Sequence, residues 1–395
     1  MDVSRRGVMM PASPIRKLAP LADEAKKAGI KIYHLNIGQP DIPTPAEFFE
    51  AVHRFTEPVL AYGPSGGIVQ LRLAVVDYLA SCGIDIDLDE VWITTGGSEA
   101  VLFAFWAPTD PDDEVIVFEP FYTNYNGFAA AAGVRLVPIK LSLEQGFRLP
   151  ARKEIERHIS RKTKALLICT PNNPTGTVLT KEEMFVLGKI VRKHNLYLIS
   201  DEVYREFIYD GREHTSALTL PDIEDRVIVT DSISKRFSAC GARIGFVISR
   251  SRELIGAMLK FAQARLCPPT VEQYGAVACF RNMHRFMKPM IAEYDSRRKA
   301  LIEELSAIPG VLAPTPEGAF YTVVRLPVDD TERFAAWLLT DFSKDKKTVM
   351  VAPAAGFYAS PDAGRNEVRI AYVLKEAALR DAMALLAQAL KDYPS

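Results

Sequence analysis

Apolar and polar positions alternate along the chain in a way that predicts a sheet flanked by helices. Short β-branched or apolar runs lie near residues 91, 115, 135, 165, 196, 227 and 244, and segments of helical pattern separate most of them. Strands that alternate with helices are typical of a doubly wound, mostly parallel sheet. We therefore predict an α/β fold: a large domain with a seven-stranded sheet of this kind, plus a smaller α+β domain.

A long helical pattern over residues 285–306 predicts the passage between the two domains. After it, strands such as Ala319–Leu326 alternate with helical segments at Thr331–Lys344 and Glu376–Asp392. This pattern is typical of an α+β domain. The predicted parts are an N-terminal arm with part of the small domain over 1–45, the large domain over 46–284, and the interdomain helix with the small C-terminal domain over 285–395.

The composition narrows the class of function. The 48 Lys and Arg residues nearly balance the 49 Asp and Glu residues, which gives a net charge of −1. This charge does not favour binding to nucleic acid or to an anionic membrane. No apolar run reaches the ~20 residues that a spanning helix needs, and the first residues lack the apolar core of a signal peptide. We expect a cytoplasmic enzyme that acts on small molecules and contacts neither nucleic acid nor membrane.

Cysteine and histidine usage gives no sign of a metal centre. The five cysteines are odd in number and scattered, without the paired spacing of metal ligands, which indicates reduced thiols. The six histidines form no cluster of the metal-binding type. We predict no metal.

Lys235 is the centre of the candidate chemistry, within the segment Asp231–Gly245 between two β-branched runs. Most lysines are solvated surface residues. Burial disfavours an ammonium, however, so a lysine between buried strands is placed to react as the free amine of a Schiff base. Ser232 and Ser234 add hydroxyls beside it, and Arg243 adds a fork of donors suited to phosphate. An amine beside a phosphate cradle suggests a phosphorylated aldehyde, and pyridoxal phosphate is the obvious one.

Further candidates follow other predicted strands, at the ends where such sheets bind ligands. Gly97 and Ser98 open a helix and offer backbone donors to a phosphate, although neither the dinucleotide nor the P-loop glycine pattern is present. Asp201 ends a strand, where an aspartate is often a helix cap but also suits a protonated pyridine nitrogen. An aromatic residue at a strand end, such as Tyr122, is equally typical of an ordinary core position. An arginine on a strand, such as Arg369, is usually a solvated residue at the edge of a sheet.

The lysine segment resembles a known signature. Ser-x-Ser-Lys235, with Gly six and Arg eight residues later, is similar to the cofactor-lysine motif of fold type I pyridoxal-phosphate enzymes, the class I/II aminotransferases in particular. The Tyr62 to Arg72 pattern, the turn Asn173–Gly176 and the Arg369-Ile-Ala context resemble further motifs of that family, in the same order and across nearly the whole chain. The resemblance implies pyridoxal 5'-phosphate as cofactor, bound by the domain over 46–284, and an aspartate aminotransferase-like fold.

The resemblance assigns a role to each residue around the cofactor ring. Lys235 would hold the cofactor and act as the catalytic base and acid. Asp201 would pair with the ring nitrogen, while Asn173 and Tyr204 would hydrogen-bond the ring oxygen. Tyr122 would stack on the ring, with Tyr125 as the second choice.

The resemblance also implies a phosphate site, a substrate site and a partner. The backbone at Gly38 would approach the substrate carboxylate, Asn173 would lie nearby, and Arg369 would clamp that carboxylate through two parallel hydrogen bonds. Tyr62 would cross a dimer interface to the neighbour's phosphate, which implies an obligate homodimer. The phosphate would be bound by Gly97, Ser98, Ser232, Ser234 and Arg243.

By this resemblance the protein is an aminotransferase that exchanges an amino group between an L-amino acid and a 2-oxo acid in a ping-pong cycle. A β-elimination lyase or an aminocyclopropane-carboxylate-synthase-like enzyme would use the same residues, so the fold alone does not decide. A ligand-sensing transcription regulator is a third alternative, but such proteins carry a basic winged-helix segment ahead of the domain. The roughly 45 residues before Ala46 contain none.

Two departures from the family pattern bear on substrate choice. Ala354-Ala355-Gly356 lies where Pro-Gly-x-x-Phe-Gly is common, which puts the geometry of the substrate loop in question. Ser98 stands where some dicarboxylate-specific members have a lysine, so aspartate is not secured as the substrate. Candidate positions for the wall of the side-chain pocket are Ile15, Ile37, Tyr125 and Tyr358.

Overall fold

The structure, a computed structural model, describes residues 2–394. The strands are β1 Lys31–His34, β2 Val91–Thr95, β3 Glu114–Glu119, β4 Arg135–Lys140, β5 Thr163–Cys169, β6 Tyr197–Asp201, β7 Val227–Ser232, β8 Ile244–Ile248, β9 Tyr321–Arg325, β10 Lys347–Met350, β11 Ala352–Pro353 and β12 Glu367–Ala371. The helices are α1 Arg5–Met9, α2 Ala19–Lys27, α3 Ala46–His53, α4 Val69–Ser81, α5 Gly96–Trp106, α6 Asn124–Ala132, α7 Arg152–Glu156, α8 Lys181–His194, α9 Ile233–Arg236, α10 Arg252–Arg265, α11 Thr270–Arg281, α12 Met283–Ser306, α13 Thr331–Thr340 and α14 Glu376–Asp392.

The large sheet has seven strands in the order β2-β8-β7-β6-β5-β3-β4. Its pairs are parallel except those that β8 makes with β2 and β7, which are antiparallel. Most of the strands are runs of buried residues, and every residue of β3, β7 and β8 is buried, whereas the edge strand β4 has one buried residue. Such runs form when helices cover both faces of a sheet, because neither face is left for polar side chains. The predicted α/β fold is confirmed.

A second set of elements packs around its own apolar core. The sheet β11-β12-β9 and the parallel pair β1-β10 contribute to this core together with α2, α12, α13 and α14. The pairing of β1 with β10 joins the N-terminal arm to the C-terminal part of the chain. Helix α12 begins against the core of the large sheet and ends in the second core, so it connects the two. The residue bounds of the domains stay a prediction.

Helix α13 is shorter than the sequence pattern predicts. The helix predicted over Thr331–Lys344 ends at Thr340, because Lys344 pairs in both directions with Lys347 and turns the chain into β10. Within residues 2–394, each helix is too short or too polar to cross a membrane.

Candidate active site

A cavity of about 550 Å³ lies beyond the carboxyl ends of β2, β3, β5, β6 and β7. Because these ends meet at one edge of the sheet, residues far apart in sequence converge there. The residues that the resemblance assigns to the cofactor and to the substrate carboxylate line this cavity, except Tyr62 and the second-choice ring residue Tyr125. They are Gly38, Gly97, Ser98, Tyr122, Asn173, Asp201, Tyr204, Ser232, Ser234, Lys235, Arg243 and Arg369.

Lys235 lies on the single turn of helix α9 that directly follows β7. Ser232 caps this turn, since its hydroxyl accepts the N–H of Ser234 at 3.1 Å, and the two hydroxyl oxygens are 2.8 Å apart. The Lys235 Nζ donates to the carbonyl of Gly38 at 2.8 Å and lies 3.8 Å from the Sγ of Cys240. The amine is therefore held inside the cavity, against the N-terminal arm.

Close packing around glycines places the start of helix α5 at the end of the cavity that Ser232 and Arg243 also line. A Cβ on Gly245 would lie 2.5 Å from the carbonyl carbon of Gly96, so only glycine lets β8 approach this helix so closely. A Cβ on Gly96 would lie 2.2 Å from the guanidinium of Arg243, and one on Gly97 would lie 3.4 Å from the Cβ of Ser232. The first amides of a helix lack acceptors within it, so this end of the cavity can hold an anion. The donors gathered here are Gly97, Ser98, Ser232, Ser234 and Arg243.

Asp201 is a buried carboxylate whose orientation is fixed by two donors. The Tyr125 hydroxyl donates to its Oδ2 at 2.7 Å, and the Val203 N–H donates to its Oδ1 at 3.3 Å. Burial raises the pKa of Asp201 to about 6, although the bond from Tyr125 opposes this rise. Tyr125 is fully buried behind the cavity, whereas Tyr122 lines it. A ligand in the cavity would therefore meet Tyr122 rather than Tyr125.

Arg369 lines the cavity, and its side chain is buried. Its Nη1 donates to the Asn173 Oδ1 at 3.0 Å and its Nη2 to the carbonyl of Asn36 at 2.5 Å. Among residues 2–394, no acceptor meets its buried Nε. The guanidinium carbon lies 4.6 Å from the ring centroid of Tyr321 and 5.0 Å from that of Phe357. A buried guanidinium with an unpartnered donor suits a planar anion such as a carboxylate.

Comparisons with known proteins show the family to which the chain belongs. The profile of the family described as aminotransferase class I and II matches residues 30–386. Aspartate aminotransferase of Pyrococcus horikoshii is 33% identical over 98% of this chain and 97% of the relative, and aromatic-amino-acid aminotransferase 2 of Thermococcus litoralis is 33% identical over 99% of each. The structure of aspartate aminotransferase from Thermus thermophilus with maleate matches with a TM-score of 0.90 at 31% identity, over 98% of this chain and 100% of that one.

The chain belongs to the class I and II aminotransferases. The prediction of an aminotransferase is confirmed, and so is the aspartate aminotransferase-like fold. Members of this family depend on pyridoxal 5'-phosphate.

Tyr321 is a site residue of the aminotransferase that sequence reasoning missed. Its hydroxyl lies 2.9 Å from that of Tyr204 and 3.4 Å from the carbonyl oxygen of Gly38. A Cβ on Gly38 would lie 1.7 Å from the same hydroxyl. Tyr321 lies on β9, two residues from Val323, which is the cross-strand partner of Arg369. Alternation along a strand puts Tyr321 and Arg369 on one face, but this signal becomes visible only once the pairing of β9 with β12 is known.

Two of the four positions predicted for the wall of the side-chain pocket line the cavity, and two do not. Ile15 and Ile37 line the cavity, whereas Tyr125 and Tyr358 do not. Tyr125 is turned toward Asp201, and the Tyr358 hydroxyl donates to a buried oxygen of Glu367 at 2.6 Å. Tyr125 reaches the cavity residue Asp201 from behind, whereas the partner of Tyr358 lies outside the cavity, so neither ring faces it.

Tyr62 lies outside the cavity of its own chain. Its side chain is 81% exposed, and Val59 and Leu60 beside it are 71% and 67% exposed. Leu266 is also half exposed, and the segment that follows it reaches Thr270, which lies next to Gly63. Val59, Leu60 and Tyr62 thus form an exposed apolar stretch of chain, and exposed apolar side chains of this kind are typical of protein interfaces.

Proposed function

We propose that this aminotransferase holds pyridoxal 5'-phosphate on Lys235 and moves an amino group between an L-amino acid and a 2-oxo acid. The observation that carries the proposal is the position of the Lys235 Nζ in one cavity with a cluster of anion donors and with Arg369. The donors at the start of helix α5 fit the cofactor phosphate, and the unpartnered Nε of Arg369 fits a substrate carboxylate.

When bound, the cofactor supplies an electron-withdrawing ring that stabilises negative charge at the substrate Cα. Asp201 would support this by pairing with the ring nitrogen, and its carboxylate form is the one present above a pH of about 6. Lys235 would take the proton from the Cα at its Nζ and return it during the exchange. Arg369 would fix the substrate carboxylate, so that the Cα proton stays within reach of that amine.

The amino donor is proposed from the relatives and the cavity together. The relatives are an aspartate and an aromatic-amino-acid aminotransferase by name. Ser98 lines the cavity but offers no cation to a second carboxylate, and Ile15 and Ile37 form an apolar wall. These features support a donor with an apolar or aromatic side chain as well as aspartate.

The test of function is a single exposure of the cofactor-loaded protein to amino acids without any 2-oxo acid. We expect at most about one oxo acid to be released per active site and no ammonia, because each amino group stays on the enzyme until an acceptor arrives. Release should continue once 2-oxoglutarate is added. Continuous formation of pyruvate and ammonia without an acceptor would instead favour the lyase.

We also propose a homodimer in which Tyr62 completes the partner's phosphate site. The support is the exposed surface around Tyr62, together with the position of this residue outside its own cavity. A cytoplasmic location is likewise proposed, supported by five cysteines that are all free.

A hybrid-dimer experiment tests the shared site. Tyr62→Ala and Lys235→Ala would each disable both sites of a homodimer. In a hybrid, one site carries both defects and the other carries none, so an equal mixture made by co-expression should show about a quarter of wild-type activity. Activity no higher than that of the two parent variants would contradict a shared site.

A further inference from the structure

The loop over residues 354–364 crosses from the small sheet to the end of β3 in the large sheet. Glu119, the last residue of β3, is fully buried, and its Oε2 accepts the backbone N–H groups of Ala359 at 2.8 Å and Ser360 at 3.0 Å. The Phe121 N–H donates to the carbonyl of Phe357 at 2.9 Å. Three hydrogen bonds therefore fasten the loop to the segment that leads into Tyr122.

The same loop contacts the substrate side of the cavity. The ring of Phe357 lies 5.0 Å from the guanidinium carbon of Arg369. A Cβ on Gly356 would lie 2.3 Å from the Cβ of Pro14, and Ile15 packs against the apolar cluster that contains Phe357. The position of the loop thus determines what covers Arg369 and where the Ile15 wall of the cavity lies.

Stability alone does not account for a carboxylate at position 119. Its second oxygen, Oε1, is buried and has no hydrogen-bond partner among residues 2–394. Leaving a buried polar atom unpaired costs free energy that an apolar side chain of similar size would avoid. The two side-chain hydrogen bonds that Glu119 does accept both go to the loop.

We infer that Glu119 is a positioning residue of the aminotransferase. By holding the amides of Ala359 and Ser360, it keeps Phe357 against Arg369 and so orients the guanidinium for the substrate carboxylate. The inference rests on the proposed role of Arg369, but Glu119 itself touches neither the substrate nor the cofactor site. The inference also assigns a function to the loop in which this chain departs from the family pattern: the loop holds Phe357 against Arg369.

The test compares Glu119→Ala with Glu119→Gln. Alanine removes the acceptor, and we expect the KM for the amino donor to rise about ten-fold with kcat within about two-fold of wild type, because ground state and transition state lose the same contact. Glutamine keeps a carbonyl oxygen for the two amides, so its KM should stay near the wild-type value. Cofactor affinity, measured by titration of the visible absorption, should not change in either variant.

An unchanged KM in Glu119→Ala, or a glutamine variant as impaired as the alanine one, would overturn the inference. If the alanine variant does not fold, Glu119→Asp withdraws the acceptor by one methylene and should give the same rise in KM with faster hydrogen exchange at the amides of residues 359 and 360. Arg369→Lys in the same assay distinguishes a failure of the role proposed for Arg369 from a failure of the role inferred for Glu119. If that variant binds the donor normally, the role proposed for Arg369 is wrong; if only the Glu119 variants behave normally, the positioning role is wrong.

Discussion

Replacing Lys235 with alanine is expected to lower kcat by about 10⁴-fold while leaving the fold intact. The Nζ is the amine in the cavity that the proposal places within reach of the substrate Cα, and methyl replacement leaves nothing to move that proton. The hydrogen bond to the carbonyl of Gly38 is the main contact that is lost. Its contribution to the free energy of unfolding is on the order of 1 kcal/mol, so thermal unfolding should change little.

The matched control is Lys260→Ala, which removes an exposed lysine from helix α10. Steady-state rates with a fixed donor and acceptor should be wild-type in this control. A Lys235→Ala protein that turned over substrate at the wild-type rate would show that Lys235 is not the amine that moves the Cα proton.

Replacing Arg369 with lysine is expected to lower kcat/KM by about 10²-fold or more, since disrupting the hydrogen bonds of a buried charge pair costs about 2–5 kcal/mol. Lysine keeps the positive charge but not the fork of donors that a carboxylate engages through both of its oxygens. The substitution also withdraws donors from Asn173 and from the carbonyl of Asn36. Most of the loss should appear in KM, because the contact is present before and during the proton transfer.

Arg365 provides the control for this substitution. Its side chain is 55% exposed and pairs at the surface with Asp330 and Asp362. Arg365→Lys should leave kcat/KM unchanged when both variants are assayed with the same amino donor over a range of concentrations. An Arg369→Lys enzyme with wild-type kcat/KM would show that the substrate carboxylate is bound elsewhere.

The sheet could be predicted from the sequence because most of its strands are continuous apolar runs. Every residue of β3, β7 and β8 is buried, and no polar face interrupts the pattern. Asp201 is the last residue of one such run and Lys235 lies three residues beyond another, which is why both stood out. The sequence also placed Lys235 between the right strands, although it gave no sign of the single helical turn that carries it.

The features that were missed depend on pairings that no local pattern encodes. Tyr321 reaches the site only because β9 pairs with β12. The buried ion pair between Asp231 and Arg236, 2.6 Å apart, closes the turn around Lys235, but an aspartate and an arginine five residues apart predict nothing by themselves. Glu119 gains its role from amides in a distant loop. In each case tertiary contacts, rather than propensity or period, decide where the side chain points.

The most direct test of the account is to reduce the cofactor-loaded protein with borohydride and locate the fixed cofactor by peptide mass spectrometry. We predict that the phosphopyridoxyl group is found on the peptide containing Lys235. Exposure to an excess of amino donor without acceptor before the reduction should abolish this label, because the substrate amine takes the place of the lysine. A label on another lysine, or one that the amino donor does not diminish, would contradict the account.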